Sequence, residues 1–203
     1  MTPEELRRAV ERALREYPYA YPDIIHVTDA CNPCLRQAYY KRVYGSIKRP
    51  AMIEGSRVHE ELLDRLAYEL NCTEEISTVY YYQYGGSLIA IEGVADLLCD
   101  GYIVELKTSR RGYIKDSWVM QLNAYMKMFN VDKGFIVLIH GDRESRIEVR
   151  EYQFSGELWD DFLDRVIRLH IALKNQEPPV ERNEKLCPYC EYKNLCRPEK
   201  RLA

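Results

Sequence analysis

Two rhythms of apolar and polar positions organise the chain. From Glu75 to Tyr84 the residues are rich in Tyr, Val, Thr and Ile, and Ser87–Cys99 and Tyr102–Thr108 follow as short apolar runs. These stretches predict three strands. Gly85-Gly86 is a hairpin signal between the first two, and the turn at Cys99-Asp100-Gly101 folds the third back on the second. A three-strand meander is expected. Farther on, Gly134–His140 is a continuous apolar run, suited to a strand buried on both faces, and the turn Gly141-Asp142 leads to a more polar edge strand, Arg146–Phe154.

The helical rhythm covers the rest. Ala51–Leu70 sets Met52, His59, Leu62, Leu63, Leu66 and Leu70 along one stripe, and Asp116–Asn130 does the same with Trp118, Leu122, Tyr125, Met126 and Phe129. Ser155 caps a helix through about Lys174, with Leu158, Phe162, Val166, Leu169 and Leu173 on its apolar face. Leu35–Tyr44 reads as a helix stopped by Gly45. The first helix carries a capping box, with Thr2 as N-cap, Pro3 in the first turn and Glu5 closing it. Between these two helices, YPYAYPDIIHVTDACNPC predicts an irregular connection, and Gln176–Pro179 a stiff linker.

Strands interleaved with helices around a meander predict an α/β (α+β) fold with a central mixed β-sheet flanked by helices. The 203 residues fit one domain with a small appended module. The expected division is an N-terminal helical region over 1–50, a core over 51–175 and a cysteine-rich segment over 176–203. No apolar run approaches the roughly 18 residues of a membrane span. The amino-terminal stretch lacks the oily core of a signal peptide, so a cytoplasmic protein is expected. A net charge of −3 argues against a protein that grips nucleic acid by bulk charge. Local basic clusters are the alternative: Arg36 with Lys41 and Arg42, Lys48 with Arg49, and Arg110 and Arg111 with Lys115.

Candidate chemistry centres on Ile91–Ser109, IEGVADLLCDGYIVELKTS. Side chains alternate faces along a strand, so Glu105 and Lys107 emerge together while Val104 and Leu106 turn away. Asp96 lies on the preceding strand, within reach across the turn. Two carboxylates hold a hard divalent cation, and a lysine beside them steadies or deprotonates an attacking water. That set suits phosphodiester hydrolysis. His59 shares the inward stripe of its helix and offers an imidazole ligand. Gln121 and Tyr125 stand one helical turn apart.

Seven cysteines point to metal or redox chemistry before disulfides. Cys187, Cys190 and Cys196 are spaced C-x2-C-x5-C, close enough for one loop to aim several sulfurs at one centre. Zinc would pair Cys31 and Cys34 with Cys187 and Cys190; an iron–sulfur cluster would pair Cys34 with the three tail cysteines. Cys72 and Cys99 read as packing residues.

The order Cys34-x-Arg36, Gly55-x3-His59, Gly93-x2-Asp96, Glu105-x-Lys107, Gln121-x3-Tyr125 and C-x2-C-x5-C resembles the RecB-like nucleases of the PD-(D/E)xK superfamily that carry an iron–sulfur cluster, and within them the family of CRISPR-associated exonucleases. The resemblance spans Cys34 to Cys196. It implies a restriction-endonuclease-like core in which His59, Asp96, Glu105 and the backbone carbonyl of Leu106 bind Mg²⁺ or Mn²⁺. Lys107 would orient and activate water, with Gln121 and Tyr125 positioning DNA or the lysine. Cys34, Cys187, Cys190 and Cys196 would hold a [2Fe–2S] or [4Fe–4S] cluster, with Cys31 as an extra thiol near the fourth position. The implied substrate is a single-stranded DNA end and the implied partner a CRISPR integrase. Ala95 stands where the superfamily's name has proline. Tyr39, Tyr40 and Tyr113, near basic residues, are candidates to stack on unpaired bases. A non-catalytic DNA-binding or scaffold subunit with a zinc clasp, and a repair nuclease, are the alternative readings.

Overall fold

A long antiparallel hairpin is the frame on which the rest is built. In the computed structural model, residues 1–47, 50–109, 112–140 and 146–196 are described, with the backbone alone at 47 and 50–58. Lys48, Arg49, Arg110, Arg111, the turn Gly141-Asp142 and the basic end after Cys196 lie outside the described residues, as does the side chain of Met52.

The helices are α1 (Pro3–Ala13), α2 (Val27–Ala30), α3 (Leu35–Tyr44), α4 (Pro50–Leu70), α5 (Asp116–Met128), α6 (Gly156–Asn175) and α7 (Lys193–Cys196). The strands are β1 (Arg15–Glu16), β2 (Ile24–His26), β3 (Ser46–Ile47), β4 (Thr73–Tyr84), β5 (Ser87–Cys99), β6 (Tyr102–Ser109), β7 (Lys133–His140) and β8 (Ile147–Gln153). The boundaries follow the local chemistry. Thr2 and Glu5 close the expected capping box, the Thr2 amide donating to the Glu5 carboxylate at 2.6 Å and the Glu5 amide to the Thr2 hydroxyl at 3.2 Å. Gly45 ends α3 at φ +71°, where a Cβ would stand 2.2 Å from the Glu16 carbonyl oxygen. Only glycine fits there.

The main sheet is mixed and six-stranded, in the order β2-β5-β6-β7-β8, with β4 on the other edge of β5. The meander β4-β5-β6 is antiparallel, β6-β7 and β2-β5 are parallel, and β8 closes the far edge as expected. One edge of β5 is occupied by β4 along its length. The other edge is shared: β2 pairs with Ala90–Glu92 and β6 with Leu97–Cys99. Among the described residues, the four residues Gly93–Asp96 between these ladders face no strand on that side, and the sheet forks there.

Two apolar clusters pin this frame. The larger joins Ile25, Val27, Ile89 and Ile91 to Leu122, Tyr125, Phe162, Val166 and Leu169 from α5 and α6. Loss of a ring such as that of Phe162, fully buried, would cost about 3–5 kcal/mol. The smaller sets Leu63 of α4 against Leu97, Cys99, Val104 and Leu106. Leu70, expected on the inward stripe of α4, is exposed. On β7, Ile136 and Leu138 are fully buried while Phe135, Val137 and Ile139 are only partly covered, so burial is one-sided rather than complete on both faces.

Several sequence expectations are corrected. The irregular connection after α1 contains β2 and α2, which insert into the sheet and the larger cluster. Cys72 and Cys99 form a disulfide between the end of α4 and the end of β5 rather than packing as free thiols. Such bonds persist in oxidising surroundings and inside hyperthermophiles. Arg42 is fully buried: it pairs with Asp29 at 3.4 Å, donates to the carbonyls of Tyr21 and Ile24 at 2.8 and 2.7 Å, and lies 4.5 Å from the Tyr19 ring centroid. It ties down the approach to β2 and is no nucleic-acid contact. Tyr39 and Tyr40 are buried too, with Tyr40 stacked on Tyr192 of the tail at 5.9 Å, so neither presents a face to a base. Tyr113 is exposed.

Candidate active site and thiol cavity

At the fork, the Asp96 side chain takes the place of a missing sheet bond. Its Oδ2 accepts the Leu106 amide at 2.7 Å, and its own amide donates to Glu105 Oε1 at 3.3 Å. Strand alternation brings Lys107 to the same side as Glu105, where Nζ donates to Oε2 at 2.6 Å and stands 3.9 Å from Asp96. His59, halfway along α4, places Nε2 3.1 Å from Asp96 Oδ2. The structure therefore brings together His59, Asp96, Glu105 and Lys107 from α4, β5 and β6. Leu106 turns its side chain into the smaller cluster.

Burial sets the electrostatics. Glu105 is wholly inaccessible, and loss of hydration pushes its pKa up to about 7 against the opposing pull of Lys107. Burial also works against ionised Asp96, yet the His59 hydrogen bond, the Lys107 charge and the Leu106 amide together hold it below the usual carboxylate range. Lys107 resists its own burial because Glu105 and Asp96 stabilise the ammonium, and its pKa is raised. The bond to Asp96 raises His59.

Tyr125 and Gln121 lie beside this group on α5. Gln121 Nε2 is 3.4 Å from the Tyr125 hydroxyl, so it is engaged rather than a free helix former. The Tyr125 ring rests against Gly93, where an added Cβ would come 2.5 Å from Cε1. A groove of about 420 Å³ runs from Asp96, Gln121 and Tyr125 to His26, Thr28, Thr78 and Glu92. At its far end His26 Nε2 lies 3.5 Å from Glu92, and the His26 ring stacks on Tyr19 at 5.0 Å. Sequence reading missed His26, Thr28 and Glu92. The short apolar run Ile24-Ile25 before His26 was the available signal for a strand.

The cysteines separate into three environments. Cys72 and Cys99 are bonded to each other. Cys31 is buried in the larger cluster, and burial pushes its thiol pKa up. Cys34, Cys187, Cys190 and Cys196 are free thiols on the walls of one cavity of about 500 Å³. The tail is held over this cavity by Tyr192, whose hydroxyl donates to the Gly45 carbonyl at 2.6 Å.

Among the described residues, no three His, Cys, Asp or Glu side chains already converge as a closed metal site. In the acidic group the Lys107 ammonium stands against Glu105 instead. The donor chemistry still suits two groups. Two carboxylates and an imidazole fit Mg²⁺ or Mn²⁺, and a buried carboxylate with a raised pKa gains from a cation. Four thiols around one cavity fit a thiolate-held centre.

A model of the PD-(D/E)XK nuclease superfamily matches residues 2–197. The CRISPR-associated exonuclease Cas4 of Saccharolobus solfataricus is 28% identical over 184 residues, covering 85% of this chain and 86% of that protein. The crystal structure of SSO0001 is similar with a TM-score of 0.70 and 26% identity, covering 94% of this chain and 93% of that one. The alkaline exonuclease LHK-Exo from Laribacter hongkongensis shares the fold at 11% identity and a TM-score of 0.56, covering 83% of this chain and 93% of its own.

Proposed function

Because this chain belongs to the PD-(D/E)XK nuclease superfamily and is a nuclease, we propose that it is a metal-dependent exonuclease acting on single-stranded DNA ends, in the cytoplasm, and that it trims DNA for CRISPR spacer acquisition alongside an integrase. The observation that carries the catalytic reading is the convergence of His59, Asp96, Glu105 and Lys107 at the fork of the sheet. The likeness to a CRISPR-associated exonuclease supports the biological setting. No described helix is long and apolar enough to cross a membrane.

In this reading His59, Asp96, Glu105 and the Leu106 carbonyl hold Mg²⁺ or Mn²⁺. Such an ion, when bound, lowers the pKa of water and offsets charge on the phosphate. Lys107, fixed by Glu105 at 2.6 Å, holds the attacking water and shares its proton. Tyr125 and Gln121 orient the DNA strand in the groove beside Asp96. The exposed Tyr113 offers a face to an unpaired base.

The cysteine segment is read as an iron–sulfur clasp held by Cys34, Cys187, Cys190 and Cys196. Their shared cavity supports this set, and the burial of Cys31 in the larger cluster speaks for Cys34 as the fourth ligand. A cluster there joins α3 to the tail and stabilises the N-terminal part of the sheet.

The test uses single-stranded DNA labelled at either end, incubated with Mn²⁺, Mg²⁺ or EDTA. Wild type is expected to degrade it with metal only, and Glu105→Ala to leave it intact. Equal degradation by both proteins would overturn the site.

A further inference from the structure

The thiol cavity has one more wall residue with unused chemistry. Arg36 sits in the first turn of α3, two residues after Cys34, and lines the same cavity as the four thiols. Its Nη1 donates to the Pro179 carbonyl at 3.3 Å, which fixes the guanidinium against the segment leading into the tail. Its Nε is buried and has no hydrogen-bond partner among the described residues. A buried N–H without an acceptor is destabilising, so one facing free space favours an acceptor there. Arg42 also has an unpartnered Nε, but its other nitrogens meet Asp29 and two carbonyls inside the core. Arg36 borders free space. Arg182, on the same cavity, is exposed and paired with Glu184 at 3.3 Å, so its charge is screened.

We propose that Arg36 donates its Nε–H to a sulfur of the cluster held by Cys34, Cys187, Cys190 and Cys196, and that this bond sets the reduction potential of the cluster. The proposal rests on the cluster reading above. Guanidinium stays protonated throughout the accessible pH range. A fixed positive donor beside sulfur favours the reduced state, which carries one more negative charge, and so raises the potential. Arg36 is thus a positioning and tuning residue, remote from the hydrolytic chemistry.

The experiment compares full-length wild type, Arg36→Gln and Arg36→Lys, purified without oxygen. Iron and sulfide are assayed, and the cluster is then titrated with dithionite against potential, followed by its visible band. Arg36→Gln is expected to keep its iron and to show a reduced-to-oxidised ratio about tenfold lower at the wild-type midpoint, equivalent to about 59 mV for one electron. Arg36→Lys keeps the charge but not the Nε donor and is expected to shift less. An unchanged midpoint in either variant with its cluster intact would overturn the proposal. A purely structural role at Pro179 predicts that result together with a lower melting temperature. Wild type devoid of iron and sulfide would overturn the cluster reading itself, and this proposal with it.

Discussion

Asp96 accepts the backbone amide of Leu106 at 2.7 Å, so a side chain completes the sheet where β5 and β6 part. One residue therefore belongs to both the fold and the proposed site, and two substitutions separate the roles. Asp96→Asn keeps an oxygen for the amide but loses the charge. Asp96→Ala loses both. Both are expected to reduce cleavage of end-labelled DNA to background, while only Asp96→Ala loses about 1–3 kcal/mol in denaturant titration. Activity in either variant would remove Asp96 from the site.

Lys107→Met leaves Glu105 buried without its cation. Cleavage is expected to fall by about 10²–10⁴-fold, the usual loss of a positioned acid–base group. Glu105 should also hold its proton to higher pH, so the residual rate should need more alkaline conditions or more Mn²⁺. A pH–rate profile at several metal concentrations checks both points.

Stability without metal should fall as pH rises through neutrality. The Glu105 pKa, about 7, lies above its ordinary value of 4.5, so the folded chain holds a proton that the unfolded chain has released between those values. The stabilising contribution is present at low pH and lost toward pH 7. His59, also raised, acts in the same sense. Asp96, lowered, contributes above its ordinary value and loses that contribution only at the acid end. In EDTA the melting temperature at pH 5.5 should exceed that at pH 8 by roughly 5 °C. Glu105→Gln should flatten the trend, and Mn²⁺ should restore stability at pH 8.

Gly93→Ala puts a methyl group 2.5 Å from Tyr125 Cε1 and 2.9 Å from Val27 Cγ2. Overpacking of this kind costs about 1–3 kcal/mol. Cleavage should weaken as well, because Tyr125 must shift. If the clash with the ring is the cause, Gly93→Ala should cost much less stability in a Tyr125→Ala background than in wild type. A double-mutant cycle measures this coupling.

The Cys72–Cys99 bond closes a separation of 27 residues and joins the helix carrying His59 to the strand carrying Asp96. Replacing both cysteines with serine should cost about 3 kcal/mol. Dithiothreitol should lower the melting temperature of wild type to that of the double variant and leave the variant unchanged.

Local signals carried much of this fold. The ends of β5 and α3 fall where Gly86 and Gly45 place them, and Glu105 and Lys107 meet because a strand alternates. His59 reaches Asp96 because the inward stripe of α4 faces the sheet. What escaped the sequence depends on distant partners. Ile24–His26 carries only a short apolar run of its own, and the partner that makes it part of the sheet, Ala90–Glu92, lies far along the chain. Arg42 is buried only because Asp29 and two carbonyls wait for it. Tyr40 turns inward onto Tyr192, a residue from the far end of the chain. No local pattern marks any of these pairings, nor the meeting of Cys72 with Cys99.

The shared edge of β5 also fixes an order of assembly. During synthesis β2 emerges early, but its partner Ala90–Glu92 comes only after α4 and β4. The hairpin of β4 and β5 can form from neighbours in sequence, whereas docking β2 must close a long loop and is the slower event. Tyr192, which seals α3 against the tail, is made later still. The first-made strand of the main sheet thus waits through α4 and β4 before it can be secured. The groove's walls come from segments as far apart as His26 and Tyr125, so it cannot exist before α5 has left the ribosome.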